Sequence, residues 1–330
     1  MQLGSALDLQ SEIIQLIYDV GAKSPRVFPA YSTSKLDPWP HPEDISIGIS
    51  RKNEHDFQLA IRVQGTTETS PLVNRIFDRA RGEAEVRWVG GVTSYQGSGA
   101  GWQTIVSIPL AIGCSISDVH TPCGTLGCFV RQRHDPSGLP HVLSCSHVIS
   151  RLGTSKLGEN IIQPALADCG QAGHRVVANL SGTSRPDISR VDNVVDAAFG
   201  IIESTLQIDP ISLWPGDKLV GMQKMDPNLL NQEVFKIGRS GRTIGNISAI
   251  NVVNLKMPFD GTPYIFTNQF EITSDRGPFA YHGDSGSLVI SKTLYALGLI
   301  MGGGYLNGKS SVYANPLSEV MDSLGLNLIM

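Results

Sequence analysis

The sequence predicts a mainly β protein of closed or sandwiched antiparallel sheets, preceded by a small α/β region and ended by a helix. Three observations carry that expectation. From about residue 105 onward, short apolar runs alternate with glycine-rich turns and leave little room for helix. The 35 glycines and 19 prolines among 330 residues supply the turns such a fold needs. Hydrophobic residues make up 41% and charged residues only 17%, which suits a buried core and not a disordered tail.

Residues 1–25 carry Leu9, Ile13, Leu16, Ile17 and Val20 on one helical face and read as a docking helix. Asp8, Glu12 and Asp19 interrupt the apolar portion and no basic start precedes it, which argues against a signal peptide. "KSPRVFPAYSTSKLDPWPHPED" is a proline-rich connector. "ISIGISRK" and "DFQLAIRVQG" read as strands. "SPLVNRIFDRARG" reads as a helix with Ser70 as its cap and Pro71 in its first position, and "AEVRWVGGV" as a third strand. The β-β-α-β order predicts a compact α/β unit, and "SYQGSGAGWQT" has linker composition.

The chain therefore divides into residues 1–95, a helix plus a small regulatory or docking domain, and residues 96–330. The second part offers the strands "TLGCFVRQ", "PHVLSCSHVIS", "NIIQPAL", "RVVANL", "VDAAFGIIE", "KLVGMQ", "EVFKIGR", "GNISAINVV", "YIFTNQFEIT", "SGSLVIS", "YALGLIMGG" and "SSVYAN". In "NPLSEVMDSLGL" Val320, Met321 and Leu324 share one side of a closing helix.

A formal net charge of −4 without a long Lys/Arg run argues against a nucleic-acid binder. No apolar stretch reaches the roughly 20 residues of a membrane span. Five cysteines, an odd number thinly spread and without an export signal, predict reduced thiols in the cytoplasm. Cys114, His120, Cys123 and Cys128 have spacings C-x5-H, H-x2-C and C-x4-C that match no metal framework. No metal and no cofactor are expected.

Chemistry concentrates in "AYHGDSGSLVIS", where Ser285 sits between glycines, behind an aspartate and ahead of an apolar run. A serine hydroxyl is a weak nucleophile and needs a base, usually histidine. His147 in "LSCSHVIS" lies at a strand end among small residues. Asp196 interrupts the apolar run "NVVDAAFGII", where a buried carboxylate wants a partner. Singly, each has an ordinary reading: a tight turn, a surface histidine, a carboxylate paired for structure. Together in one β-rich module they are far more specific.

On these residues, positions 120–330 resemble the trypsin-like (chymotrypsin-fold) serine peptidases, in the bacterial branch related to a plant leaf-shape protease. "GTLGCFV…LPHVLSCSHVIS", "NVVDAAFG" and "GDSGSLV" resemble that family's histidine, aspartate and serine segments, in the family's order. The resemblance implies a double β-barrel with the site in the cleft between barrels. Ser285 would be the nucleophile, His147 its base, Asp196 the orienting acid, and the amides of Gly283 and Ser285 the oxyanion hole.

It also implies a substrate pocket at Phe279, Met301, Gly302 and Gly303, which offers no acid to select Lys or Arg. "FKIGRSGRTIGNI" resembles a segment supplying an internal arginine to the aspartate before the serine, so Asp284 is expected to pair with Arg239 or Arg242. The implied partner is a protein or peptide substrate, with a possible regulatory partner at the N-terminal domain. The alternative is a catalytically silent interaction module of the same fold. An esterase or lipase would place its serine in G-x-S-x-G on a strand-to-helix elbow, whereas this motif leads into a strand.

Overall fold

The structure, a computed structural model, describes residues 1–23, 41–65, 70–94, 105–169 and 173–330. The connector "KSPRVFPAYSTSKLDPWPHPED" and the linker "SYQGSGAGWQT" lie largely outside them. Strands dominate and form two curved sheets. The first runs in the order Leu326–Leu328, Cys128–Gln132, His141–Ser144, Ala198–Ile202, Arg175–Thr183, Asn160–Gln163, Ser115–Asp118, Gly124–Thr125, and curls into a half-barrel.

The second is a closed barrel of Glu233–Gly238, Leu288–Ser291, Tyr295–Leu306, Lys309–Pro316, Gln269–Ser274 and Gly241–Val253. It closes because Glu233–Gly238 pairs with Gly241–Val253 across a tight turn as well as with Leu288–Ser291. Closure leaves no free edge among those pairings. The largest apolar cluster joins the two sheets, running from Phe129, Leu143 and Phe199 to Ile237, Leu288 and Leu299. The C-terminal helix, Leu317–Leu324, closes that cluster with Leu317, Val320 and Met321.

The N-terminal elements do not stand apart from this barrel. The Gly241–Val253 strand overshoots it, and its far end pairs with Ile45–Arg51. The sheet continues antiparallel to Phe57–Val63 and then parallel to Ala84–Trp88, with the helix Pro71–Arg79 as the crossover. Ser70 caps that helix by accepting from the Val73 amide at 3.3 Å, with Pro71 at the first helical position. The first helix, Leu3–Lys23, buries Ala6, Ile13 and Ile17, and Gln10 Nε2 donates to the carbonyls of Ile47 and Asn251, both at 2.8 Å. Among the described residues no helix is long and apolar enough to cross a membrane.

Several elements differ from the sequence expectation. "PHVLSCSHVIS" stops being a strand at Ser144 and becomes the one-turn helix Ser146–Ile149. Residues 255–266, expected to contribute only the start of a strand, form the hairpin Leu255–Phe259 with Thr262–Phe266. Its two-residue turn has Asp260 and Gly261 at φ of 48° and 78°, the geometry that matches strand twist. "AEVRWVGGV" breaks after Trp88, and Thr93–Ser94 pairs instead with the Tyr295–Leu306 strand.

A buried ion pair ties the N-terminal strands to the barrel. Arg62, with no exposed surface, donates from Nε to both Glu271 oxygens at 2.9 Å and from a terminal nitrogen to Glu85 at 3.2 Å. Burial works against ionising Glu271, but Arg62 and Arg87 outweigh it and hold the carboxyl below its usual range. Removing one partner strands a buried charge. Glu271→Ala should therefore cost about 3–5 kcal/mol in guanidinium unfolding, and a Arg62→Leu/Glu271→Leu double variant far less than the two single losses added.

Candidate active site

The first sheet builds the histidine–aspartate pair. Ser144 stands opposite Ala198 in antiparallel register, so the chain just past one strand meets the chain just ahead of the other. His147, on the one-turn helix, and Asp196, before its strand, are brought together there. Asp196 Oδ2 lies 2.5 Å from His147 Nδ1, and Oδ1 accepts from the His147 amide at 3.0 Å. Asp196 is fully buried and His147 is 4% exposed. The carboxylate thereby fixes which imidazole nitrogen faces it and leaves Nε2 for other work. Among the described residues His147 Nε2 has no hydrogen-bond partner. The ring lies against Phe259, 4.7 Å between centroids, which shields one face from water.

The second barrel supplies the serine loop. Gly283 and Gly286 have φ of +88° and +89°, where a side chain is strained. At Gly286 a Cβ would also meet Ser144 Oγ at 2.2 Å and the Thr125 carbonyl at 2.4 Å, so the loop packs directly on the strand leading to His147. Thr125 makes the join: its amide donates to the Ser285 carbonyl at 2.9 Å and its hydroxyl to the Gly283 carbonyl at 2.8 Å. Among the described residues the amides of Gly283 and Ser285 donate to nothing. The Ser285 hydroxyl donates to the Met301 carbonyl at 2.9 Å, not to His147.

The expected arginine support is corrected. Asp284, fully buried, takes Lys236 as its counter-ion at 2.6 Å and accepts from the Ser240 amide at 3.0 Å, the Ser240 hydroxyl at 2.5 Å and the Tyr281 amide at 2.8 Å. Arg239 pairs with Asp168, Nε at 2.6 Å, and donates to the His282 carbonyl at 3.1 Å. Arg242 pairs with Asp217 at 2.7 Å and lies over the Phe235 ring. The physical reason is strand alternation. Lys236 shares the barrel-interior face with Val234, while Arg239 sits in the turn and Arg242 stands across from Ile237. Burial outweighs the attraction of Asp284 and lowers the Lys236 pKa from its ordinary value.

The expected pocket residues separate. Met301, Gly302 and Gly303 run beside the serine loop and are buried. Phe279 is fully buried in a different apolar cluster, with Ile247, Ile272 and Val312, because its position fills the closed barrel's core. Several site residues escaped sequence reasoning: Lys236, Thr125, Phe259 and Asn315. Asn315 Oδ1 accepts from the Asp196 amide at 2.9 Å and its Nδ2 donates to the Asp196 carbonyl at 3.2 Å, holding the acid's backbone. Among the described residues, the one His/Cys/carboxylate group compact enough for a metal is Cys145, His147 and Asp196. Burial raises the Cys145 thiol well above its usual range, the Asp196 charge raises it further, and Nδ1 already faces Asp196, so the group makes a poor metal site.

A curled half-barrel carrying His147 and Asp196, set against a closed barrel carrying Ser285, is a chymotrypsin-like double β-barrel. Among solved structures the chain is similar to Thermobifida fusca protease A, at 16% identity over 68% of this chain and 100% of that one, with a TM-score of 0.48. It is similar to the Nocardiopsis protease NAPase at 18% identity, over 68% and 100%, TM-score 0.47, and to Cellulomonas bogoriensis chymotrypsin at 15%, over 67% and 98%, TM-score 0.46. No family model and no curated protein matches the chain.

The two cation sites differ in what their loss should cost. Lys236→Met leaves the Asp284 carboxylate buried without its counter-ion and should cost about 3–5 kcal/mol in chemical unfolding. Arg242→Ala breaks a partly exposed pair and should cost about 1 kcal/mol or less. A reversed order would return the loop's support to Arg242.

Proposed function

We propose that the chain is a serine endopeptidase. The reading is supported by the buried Asp196–His147 pair with Nε2 unpartnered, together with a serine on a glycine turn that packs against Ser144 and Cys145 and leaves two amides free. In the reaction, the Ser285 hydroxyl turns from the Met301 carbonyl to His147 Nε2, which takes its proton as Oγ attacks the scissile carbonyl. Asp196 stabilises the imidazolium. The tetrahedral oxyanion is met by the Gly283 and Ser285 amides, worth about 10²–10³ in rate per donor. The imidazolium then protonates the departing amine, and water, deprotonated by the same nitrogen, releases the acyl group and restores the serine.

Met301, Gly302 and Gly303 present peptide main chain to an extended substrate. Without an acidic pocket residue, a small or apolar side chain before the cleaved bond is favoured over Lys or Arg. The cytoplasm is the compartment that five cysteines, an odd number thinly spread over the chain, suit. Residues 1–95 serve regulation and leave the chemistry to residues 96–330.

The bond from Ser285 to the Met301 carbonyl favours a second reading, a silent module whose serine is structural. A fluorophosphonate probe separates the two. Labelling of Ser285 in the whole chain, lost in Ser285→Ala and reduced at least about 10³-fold in His147→Ala, supports the peptidase. An unreactive Ser285 in a folded chain supports the silent module.

The pH profile tests the loop. Lys236 has a lowered pKa, so as pH rises it loses its proton before an ordinary lysine does, and Asp284 loses its counter-ion. An alkaline fall in kcat/KM is expected below the usual lysine range, moved upward in Lys236→Arg because guanidinium stays charged. In the same window the unfolded chain holds the proton more tightly, so this group's contribution to stability rises with pH. Activity should fall there while the chain stays folded.

A further inference from the structure

The strand that presents main chain to a substrate is already occupied. Thr93 and Ser94 pair antiparallel with Gly303 and Gly302 of the Tyr295–Leu306 strand. The approach is close: a Cβ on Gly302 would meet the Thr93 carbonyl at 2.3 Å, and one on Gly304 the Val89 carbonyl at 2.4 Å. The run Gly302–Gly304 is thus shaped to admit the segment 89–94. Val89 and Val92, 2% and 1% exposed, anchor that segment in an apolar cluster with Phe259, whose ring lies against His147, and Met301, whose carbonyl accepts from the Ser285 hydroxyl.

Register decides what this occupation does. A peptide lying as Thr93 and Ser94 lie would put its next residue opposite Met301, whose carbonyl holds the Ser285 hydroxyl. Its reactive bond would then reach the nucleophile, and the residues ahead of that bond would need the places that Thr93 and Ser94 fill. We propose that the segment Val89–Ser94 is a built-in competitor for the edge that binds extended peptide substrates, so that residues 1–95 restrain the site in cis. The inference rests on the peptidase reading above.

The competitor is hard to dislodge by concentration alone. Its N-terminal side is held by the Ala84–Trp88 strand, in a sheet stapled to the barrel through Arg62 and Glu271. Tethered so closely, its effective concentration is on the order of millimolar. If the segment by itself would bind the bare edge at about 0.1 mM, a free peptide's apparent affinity falls roughly tenfold. A substrate with one residue before the scissile bond does not reach Gly302 or Gly303 and loses nothing.

The test compares two substrates on the whole chain: a capped single-residue nitrophenyl ester, and a capped tetrapeptide nitroanilide ending in the same residue. In the unaltered protein the three added residues should bring little gain in kcat/KM. Thr93→Pro/Ser94→Pro removes both strand amides, and Val92→Ser loosens the anchor, each checked for a retained thermal transition. Either folded variant should raise kcat/KM for the tetrapeptide at least tenfold, mainly through KM, and leave the ester within twofold. Variants that leave the tetrapeptide unchanged, or lower both substrates together, overturn the proposal and make the segment a structural strand. If Ser285 neither labels with fluorophosphonate nor turns over the ester in any form, the peptidase reading falls and this one with it.

Discussion

The Asp284 carboxylate is the constraint on which the rest of the site depends. The serine loop is nearly bare of side chains, and its glycines at positive φ have the most freedom to lose on folding. Apolar packing cannot hold such a segment, so polar contacts must. Asp284, without exposed surface, gathers an ammonium, a hydroxyl and two amides around one carboxylate. Thr125 then ties the same loop to the other sheet through two carbonyls. Burying the Lys236–Asp284 pair is expensive in desolvation, and replacing such pairs by apolar groups often stabilises a protein. Its value here is placement: with Thr125 it fixes the turn that carries the Gly283 amide and the Ser285 hydroxyl.

The legible part of the sequence was the part governed by local rules. Helical spacing marked Ile13 and Ile17, and a serine followed by proline marked the start of Pro71–Arg79. His147, Asp196 and Ser285 were legible as residue types because each interrupts a pattern: an imidazole after an apolar strand, a carboxylate inside one, a hydroxyl in a bare turn. The Asp260–Gly261 hairpin also obeys a local rule, an Asp-Gly pair at positive φ between two strands.

Less legible were choices made by distance. "EVFKIGRSGR" offers three cations within seven positions, Lys236, Arg239 and Arg242, and only the barrel's closure says which faces inward. Parity with Val234 points to Lys236, but that face is interior only because Glu233–Gly238 closes the sheet on both sides. Asn315, 119 residues from Asp196, belongs to the same class. Phe279, expected in the substrate pocket, packs in the barrel core, a placement that only the closed sheet reveals.

The attachment of the N-terminal strands to the barrel's sheet bears on the problem of sheet edges. A flat, glycine-rich strand edge that accepts a substrate's main chain accepts any other extended chain, including a second copy's, and such edges drive aggregation. The Tyr295–Leu306 strand runs 12 residues, and Gly302–Gly304 gives it such an edge beside the serine. On the peptidase reading, covering it permanently would abolish substrate binding, and leaving it bare would invite unwanted pairing. On the competitor proposal, a short strand of two residues, held on its N-terminal side by a shared sheet and continuing on the other into residues 96–330, lies between those extremes: its own ladder is too small to be stable alone, yet its attachment keeps it close to the edge. Because the N-terminal elements continue the barrel's sheet, the residues just ahead of Thr93–Ser94 have a fixed anchor.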